Sequence, residues 1–338
     1  MKKVKLGLIG AGRIGRVHAE AIANRIPEAE IAMVTDVRPD AARKAAEDFR
    51  IAKVVDSHEE ILKSPDIHGV LICSATDTHA KLIMEAAAAK KHIFCEKPVD
   101  LSLEKIEAAL DAVKKANVKL AVGFNRRWDP NFKSIADSVR AGKIGQPQLV
   151  RITSRDPGPP PAEYVKVSGG IFLDMTIHDL DMARYVINDE IDEVYAVGRN
   201  LIDPAIQAAG DVDTAVVTLK YRSGAICVID NSRKAVYGYD QRLEVFGSKG
   251  CLVAANDLPT RVQHWDDQAQ KMDLPLNFFL QRYTESYVGE LREFVDCLIH
   301  DKQPSCSGKD GHMGVVLGMA CRKSHAENRP VKISEIRG

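Results

Sequence analysis

Residues 4–19, "VKLGLIGAGRIGRVHA", decide how the first third of the chain folds. The apolar run reads as a buried strand, and Gly10, Gly12 and Gly15 follow it as a G-x-G-x-x-G that opens a helix over Arg13–Arg25. Each glycine answers a separate need: a tight turn at Gly10, no side chain where pyrophosphate meets the backbone at Gly12, and close helix packing at Gly15. Arg13 and Ile14 lie within the same loop. Asp36 closes the second strand, "EIAMVTD", 21 residues after Gly15, where a carboxylate accepts hydrogen bonds from both hydroxyls of an adenosine ribose. The glycines alone would fit an empty strand-to-helix turn, but with Asp36 they indicate a dinucleotide site. A carboxylate repels a 2′-phosphate, so NAD is expected over NADP, with Arg38 as the one neighbour able to pair with such a phosphate.

Working outward, the 338 residues are enough for two domains. Lys+Arg and Asp+Glu balance at 47 each, which excludes the electrostatic footprint of a nucleic-acid or anionic-membrane binder. The basic and apolar start is too short, and too glycine-rich at its end, to read as a secretory signal. No stretch approaches the roughly 18 uninterrupted apolar residues of a membrane helix. The 7 cysteines are scattered without a CxxC pair, a pattern of free thiols in a reducing cytoplasm.

Up to "KLAVGF" apolar runs alternate with helical segments such as 79–90, which predicts a parallel sheet covered on both faces, an α/β Rossmann domain over residues 1–124. From residue 125 to 338 the pattern changes to an α+β domain. "AVVTLKY" and "AICVID" flank Arg222-Ser223-Gly224, and "RLEVF" and "CLVAA" flank "GSKG", so a large, mostly antiparallel, open-faced sheet is expected. Two amphipathic helices follow, through Tyr287, Leu291, Phe294, Val295 and Leu298 and through Met313, Val316, Leu317 and Ala320, with the C-terminal helix packing back on the first domain. "RDPGPPPAEY" reads as a loop.

Three stretches carry candidate chemistry. In "CSATDTHAKL" a strand ends at Cys73 and a helix is expected from Thr78 or His79, capped by Asp77 or Thr78. Ser74, Ala75, Thr76 and His79 stand where such sheets bind ligands, and capping alone is the alternative. In "HIFCEKPVDLS", Glu96 and Lys97 end a strand at the same edge, where an ammonium can hydrogen-bond a substrate oxygen or exchange a proton; a surface Glu96–Lys97 pair is the alternative. In "SGGIFLDMTIHDLDMARYV", a single helix over 171–187 would place Asp174 and His178 on one face, four residues apart. An imidazole accepts a proton from an alcohol near neutral pH, and a carboxylate orients it. A metal reading of Asp174, His178 and Asp181 offers one nitrogen and no further motif, so no metal is expected, and Asp179 and Asp181 are read as structural.

These stretches, with "GFNRRWDPNF", resemble the Gfo/Idh/MocA oxidoreductases over nearly the whole chain, and among them the inositol 2-dehydrogenases. The resemblance implies a Rossmann domain followed by an open-faced sheet that pairs subunits, in a cytoplasmic tetramer or dimer. It implies that Lys97 positions and polarises the reacting hydroxyl in an EKP motif whose Lys-Pro peptide is commonly cis, that His178 is the general base and that Asp174 is its partner. "SRDPGPPP" and "AVYGYDQR" extend it to Asp156, Tyr237 and Tyr239 as polyol contacts, with Arg127 and either Tyr283 or Tyr287 as further candidates; interface-packing tyrosines and an Arg127 ion pair are the alternatives. The implied reaction is NAD-dependent oxidation of myo-inositol at C2. The alternatives are another inositol isomer or sugar, a non-catalytic dinucleotide sensor, and an NAD-dependent glycosidase.

Overall fold

The computed structural model describes residues 3–336, in two units. The first runs to Trp128 and takes back Glu285–Val315; the second comprises Asp129–Thr284 and the chain from Val316 onward.

The first unit is built on six strands: β1 (Val4–Ile9), β2 (Ala29–Thr35), β3 (Lys53–Val54), β4 (Gly69–Ile72), β5 (His92–Glu96) and β6 (Leu120–Gly123). All pair in parallel, in the order β3-β2-β1-β4-β5-β6. Strand order reverses between β1 and β4, which opens a crevice at the carboxyl ends of those strands. Leu6, Leu8, Leu71 and Phe94 are fully or almost fully buried, as strands covered on both faces require. The late helix Thr284–Ile299 enters the same core through Leu291, Phe294 and Val295. Glu285–Val315, about 160 residues after residue 124, thus completes this core.

The second unit holds a seven-stranded sheet. Its members are β7 (Pro147–Arg155), β8 (Ile191–Arg199), β9 (Thr214–Tyr221), β10 (Ile226–Ser232), β11 (Asp240–Gly247) and β12 (Gly250–Ala254); a separate hairpin, β13 (Gln263–Trp265) and β14 (Gln270–Met272), intervenes before β15 (Val331–Lys332). The order is β12-β11-β7-β10-β9-β8-β15, antiparallel except that β7 and β10 run parallel at the centre. Sequence neighbours form the hairpins, and β7 is then inserted from earlier in the chain. The strands alternate in burial: Val217, Leu219, Cys227 and Ile229 face the core, whereas Val216, Ile226, Phe246 and Val253 are exposed on the opposite face.

The expected single helix over 171–187 is two helices. Gly170–Asp174 ends at Met175 (φ −97°, ψ −60°), and Thr176–Ile187 begins after it. Asp211 accepts the Ile171 amide through both carboxylate oxygens, at 3.1 and 2.9 Å, and so anchors the start of the first helix. The stretch read as a loop, residues 155–164, runs at its end into a further helix, Ala162–Ser168.

Candidate active site

In the first unit the glycine motif has the geometry that a phosphate cradle needs. Gly10 adopts φ +97°, and a Cβ there would lie 2.6 Å from the Cys73 carbonyl, so the turn presses on the end of β4. A Cβ at Gly15 would lie 2.0 Å from the Gly10 oxygen, because the helix Arg13–Arg25 closes over the turn. At Gly12, the N-cap of that helix, an added Cβ would meet nothing within 4 Å, and no side chain caps the helix. A helix start that meets open space fits a pyrophosphate. Asp36 stands beside them: its carboxylate accepts the Ala11 amide at 2.6 Å and the Arg38 amide at 2.8 Å. The Arg38 side chain is mostly exposed, with its Nε 3.9 Å from Asp36. These residues suit NAD, with Asp36 on the ribose and the Gly12 amide region on the phosphates.

The helix after β4 begins at Thr76 with Ala75 as N-cap, earlier than expected. Ser74 Oγ and Thr78 Oγ1 are 2.6 Å apart, and Thr78 also donates to the Ala75 carbonyl. His79 is buried, with Nδ1 2.8 Å from the Pro98 carbonyl oxygen and Nε2 3.1 Å from that of Ser74. The ring thus lies between the Ser74 turn and the Lys97–Pro98 segment.

Glu96 also departs from expectation. It is buried, with Oε1 2.6 Å from His18 Nε2 and Oε2 accepting the Lys97 amide at 3.2 Å, so the carboxylate is directed inward. The Lys97–Pro98 peptide is cis. Glu290, from Thr284–Ile299, completes a buried group with His18 and Glu96 whose ligand-type atoms lie within 4.8 Å of one another. Two ligands of one ion at bond lengths near 2.1 Å stand about 3 Å or more apart, so the 2.6 Å His18–Glu96 contact is a hydrogen bond and the group holds a proton. Burial, reinforced by the charge on Glu96, pushes the Glu290 carboxyl well above its ordinary range. Arg127 is buried against Asp310 at 2.8 Å and the Ser305 carbonyl at 3.2 Å. Burial raises the Asp310 pKa, but the Arg127 charge and hydrogen bonds from Ser307 outweigh it and hold the carboxyl low.

In the second unit Asp174 receives two donors that the sequence did not point to. The Tyr164 hydroxyl donates to Oδ1 at 2.9 Å, and Arg233 Nη1 to Oδ2 at 3.1 Å. Arg233 Nη1 also lies 3.7 Å from Asp156 Oδ2. One buried guanidinium therefore brings together Asp156 and Asp174. Met175, in the αR region, joins the two helices, and the His178 amide donates to its carbonyl. Asp179 accepts from Asn231 at 2.9 Å in the core, a structural role.

Tyr237 bridges Asp240 at 2.6 Å and Arg155 at 3.0 Å. Burial, together with the hydrogen bond to Asp240, pushes its phenol above the ordinary range. Tyr239 and Tyr283 are buried edge to face with ring centroids 6.0 Å apart, and the Tyr283 hydroxyl donates to Gln241 at 3.2 Å.

The description "Oxidoreductase family, NAD-binding Rossmann fold" matches residues 4–124, and the Gfo/Idh/MocA C-terminal domain matches residues 132–253. The chain belongs to the Gfo/Idh/MocA oxidoreductase family. It is 49% identical to the myo-inositol 2-dehydrogenase of Thermotoga maritima over 99% of this chain and 100% of that protein. It is 44% identical to the inositol 2-dehydrogenase of Rhizobium meliloti over 98% and 99% of the two chains. The crystal structure of scyllo-inositol dehydrogenase from Lactobacillus casei with bound NAD(H) and scyllo-inositol superposes with a TM-score of 0.92 at 30% identity, covering 98% of this chain and all of that one. As a Gfo/Idh/MocA member the chain is an oxidoreductase with an NAD-binding Rossmann domain.

Proposed function

We propose that the protein oxidises a ring secondary alcohol of a cyclic polyol with NAD, and that the substrate is myo-inositol, giving the 2-keto product and NADH. The observation that carries this reading is the end-to-end match to inositol 2-dehydrogenases in a chain that carries Lys97, Asp174 and His178 together. A dinucleotide sensor would have no need of the three.

In the proposed reaction the Lys97 ammonium holds the hydroxyl oxygen, and His178 accepts the hydroxyl proton as the carbonyl forms. Asp174 and Asp156 accept hydrogen bonds from neighbouring hydroxyls, a demand set by a ring bearing six of them. Bound NAD supplies the hydride acceptor. Asp36 favours NAD because its carboxylate opposes a 2′-phosphate.

The exposed face of the second sheet, with Val216, Ile226, Phe246 and Val253, supports pairing of subunits through that sheet, in a dimer or tetramer. Among the described residues no helix is long and apolar enough to cross a membrane. The unpaired cysteines, six of seven buried, support a cytoplasmic setting.

The test is a screen of myo-, scyllo- and chiro-inositol and common sugars with NAD and NADP, followed by absorbance of the reduced cofactor. Highest kcat/KM with myo-inositol and NAD supports the reading. Turnover of sugars alone, or release of a glycoside leaving group, would replace it.

A further inference from the structure

We propose that Arg233 is a positioning residue of the polyol site, whose buried guanidinium fixes the carboxylates of Asp174 and Asp156 side by side. This rests on the functional reading above and deepens it.

Arg233 follows the end of β10, and its side chain is 3% exposed. Its backbone is held tightly: the Arg233 amide donates to the Asp213 carbonyl at 2.8 Å, the Asp156 amide to Ser232 at 2.9 Å, and the Ala235 amide to the Asp156 carbonyl at 2.6 Å. Asp156 and Arg233 are thus laced together through the main chain before their side chains meet. From that fixed base a single nitrogen, Nη1, stands 3.1 Å from Asp174 and 3.7 Å from Asp156. The second oxygen of Asp174 is engaged by Tyr164, so both of its oxygens have a set direction.

The charges point the same way. Asp211 lies at this corner too: burial chiefly raises its pKa, the Asp174 charge adds to the rise, and Arg233 opposes it. One cation therefore serves three acids in a buried region. Without it the carboxylates repel one another, and Asp174 and Asp156 lose their common anchor. The two acceptors offered to the polyol would then have no fixed spacing, and that spacing is what separates one inositol isomer from another. A lysine supplies the charge at one point but lacks the planar fork of donors.

The experiment compares wild type, Arg233→Met and Arg233→Lys by NAD titration, by thermal melting and by kinetics with myo- and scyllo-inositol. Arg233→Met is expected to keep NAD affinity within about twofold, to lower kcat/KM for myo-inositol by about a hundredfold mainly through KM, and to flatten the preference between isomers. Arg233→Lys should recover part of the loss, and if Arg233→Met does not fold, the KM of Arg233→Lys decides: a rise of about fivefold or more over wild type supports the proposal. Unchanged KM and isomer preference in a folded variant overturn it. Equal loss of NAD affinity and turnover, with no recovery by lysine, also overturns it, since that is general collapse. A wild type inert toward every inositol sinks the functional reading and this inference with it, whereas an active wild type with an equally active Arg233→Met sinks the inference alone.

Discussion

Glu290→Gln is expected to make the protein steadily more stable than wild type as pH rises from 5. Glu290 is 2% exposed, and neither carboxyl oxygen has a hydrogen-bond partner. The titratable groups that bear on it are His18 from the helix Arg13–Arg25, Glu96 from the end of β5 and the Cys73 thiol beyond β4. Burial disfavours the carboxylate and the charge on Glu96 adds to it, so Glu290 stays neutral in the folded protein with its pKa well above the ordinary 4.5. The folded state then holds a proton that the unfolded chain releases above pH 4.5. Stability from this group is complete below that pH and is lost, as pH rises towards the folded pKa, at about 1.4 kcal/mol per unit. Glutamine keeps the shape and the neutrality in both states, so it escapes the loss. Between pH 5 and 6.5 the gap between variant and wild type should widen steadily, at most by about 2 kcal/mol. Urea midpoints of both proteins across that range measure it, and any constant offset from the amide cancels in the slope. Two curves that stay parallel would show that Glu290 is ionised in the fold and that burial does not keep it neutral.

Other perturbations test the remaining parts. His178→Ala should lower turnover by about 10²- to 10⁴-fold while NAD titration is unchanged, and Lys97→Ala should likewise harm turnover more than cofactor affinity; near-normal turnover of the first removes His178 as the general base. Gly12→Ala should leave the urea midpoint within about 0.5 kcal/mol of wild type, because its Cβ enters open space, yet weaken NAD by about tenfold or more; Gly15→Ala, driven against the Gly10 oxygen, should instead cost about 1–3 kcal/mol of stability. The reverse pattern would refute the assignment of the cradle. Arg282→Met breaks a buried ion pair with Asp129, the residue that also caps the helix Pro130–Arg140, and should destabilise the second unit by about 3–5 kcal/mol in denaturant melts; a loss below 1 kcal/mol would contradict the pairing.

The nucleotide half was legible in the sequence because its determinants are local. Gly10, Gly12 and Gly15 belong to one turn, Asp36 ends the next strand, and the alternation of apolar runs with helical stretches dictates a parallel sheet by itself. The hairpins of the second half were equally visible, since a glycine turn between two β-rich runs acts over a few residues. The central pairing of β7 with β10 was not, because it joins strands some seventy residues apart and leaves no mark on either.

The site divides in the same way. The sequence alone determined which groups capable of chemistry are present, Lys97, Asp174 and His178 among them, and through Asp36 which dinucleotide they would serve. Tertiary structure decided how those groups are held: two helices joined at Met175, His79 between the Ser74 and Pro98 carbonyls, and Arg127 turned to Asp310. It also supplied partners without a sequence signal, since Arg233 reaches Asp174 across 59 residues and Glu290 meets His18 from the far end of the chain. The reason is physical. Periodicity and turn chemistry act between residues close in sequence, whereas a buried charge finds its counter-charge only where the packed chain has excluded water.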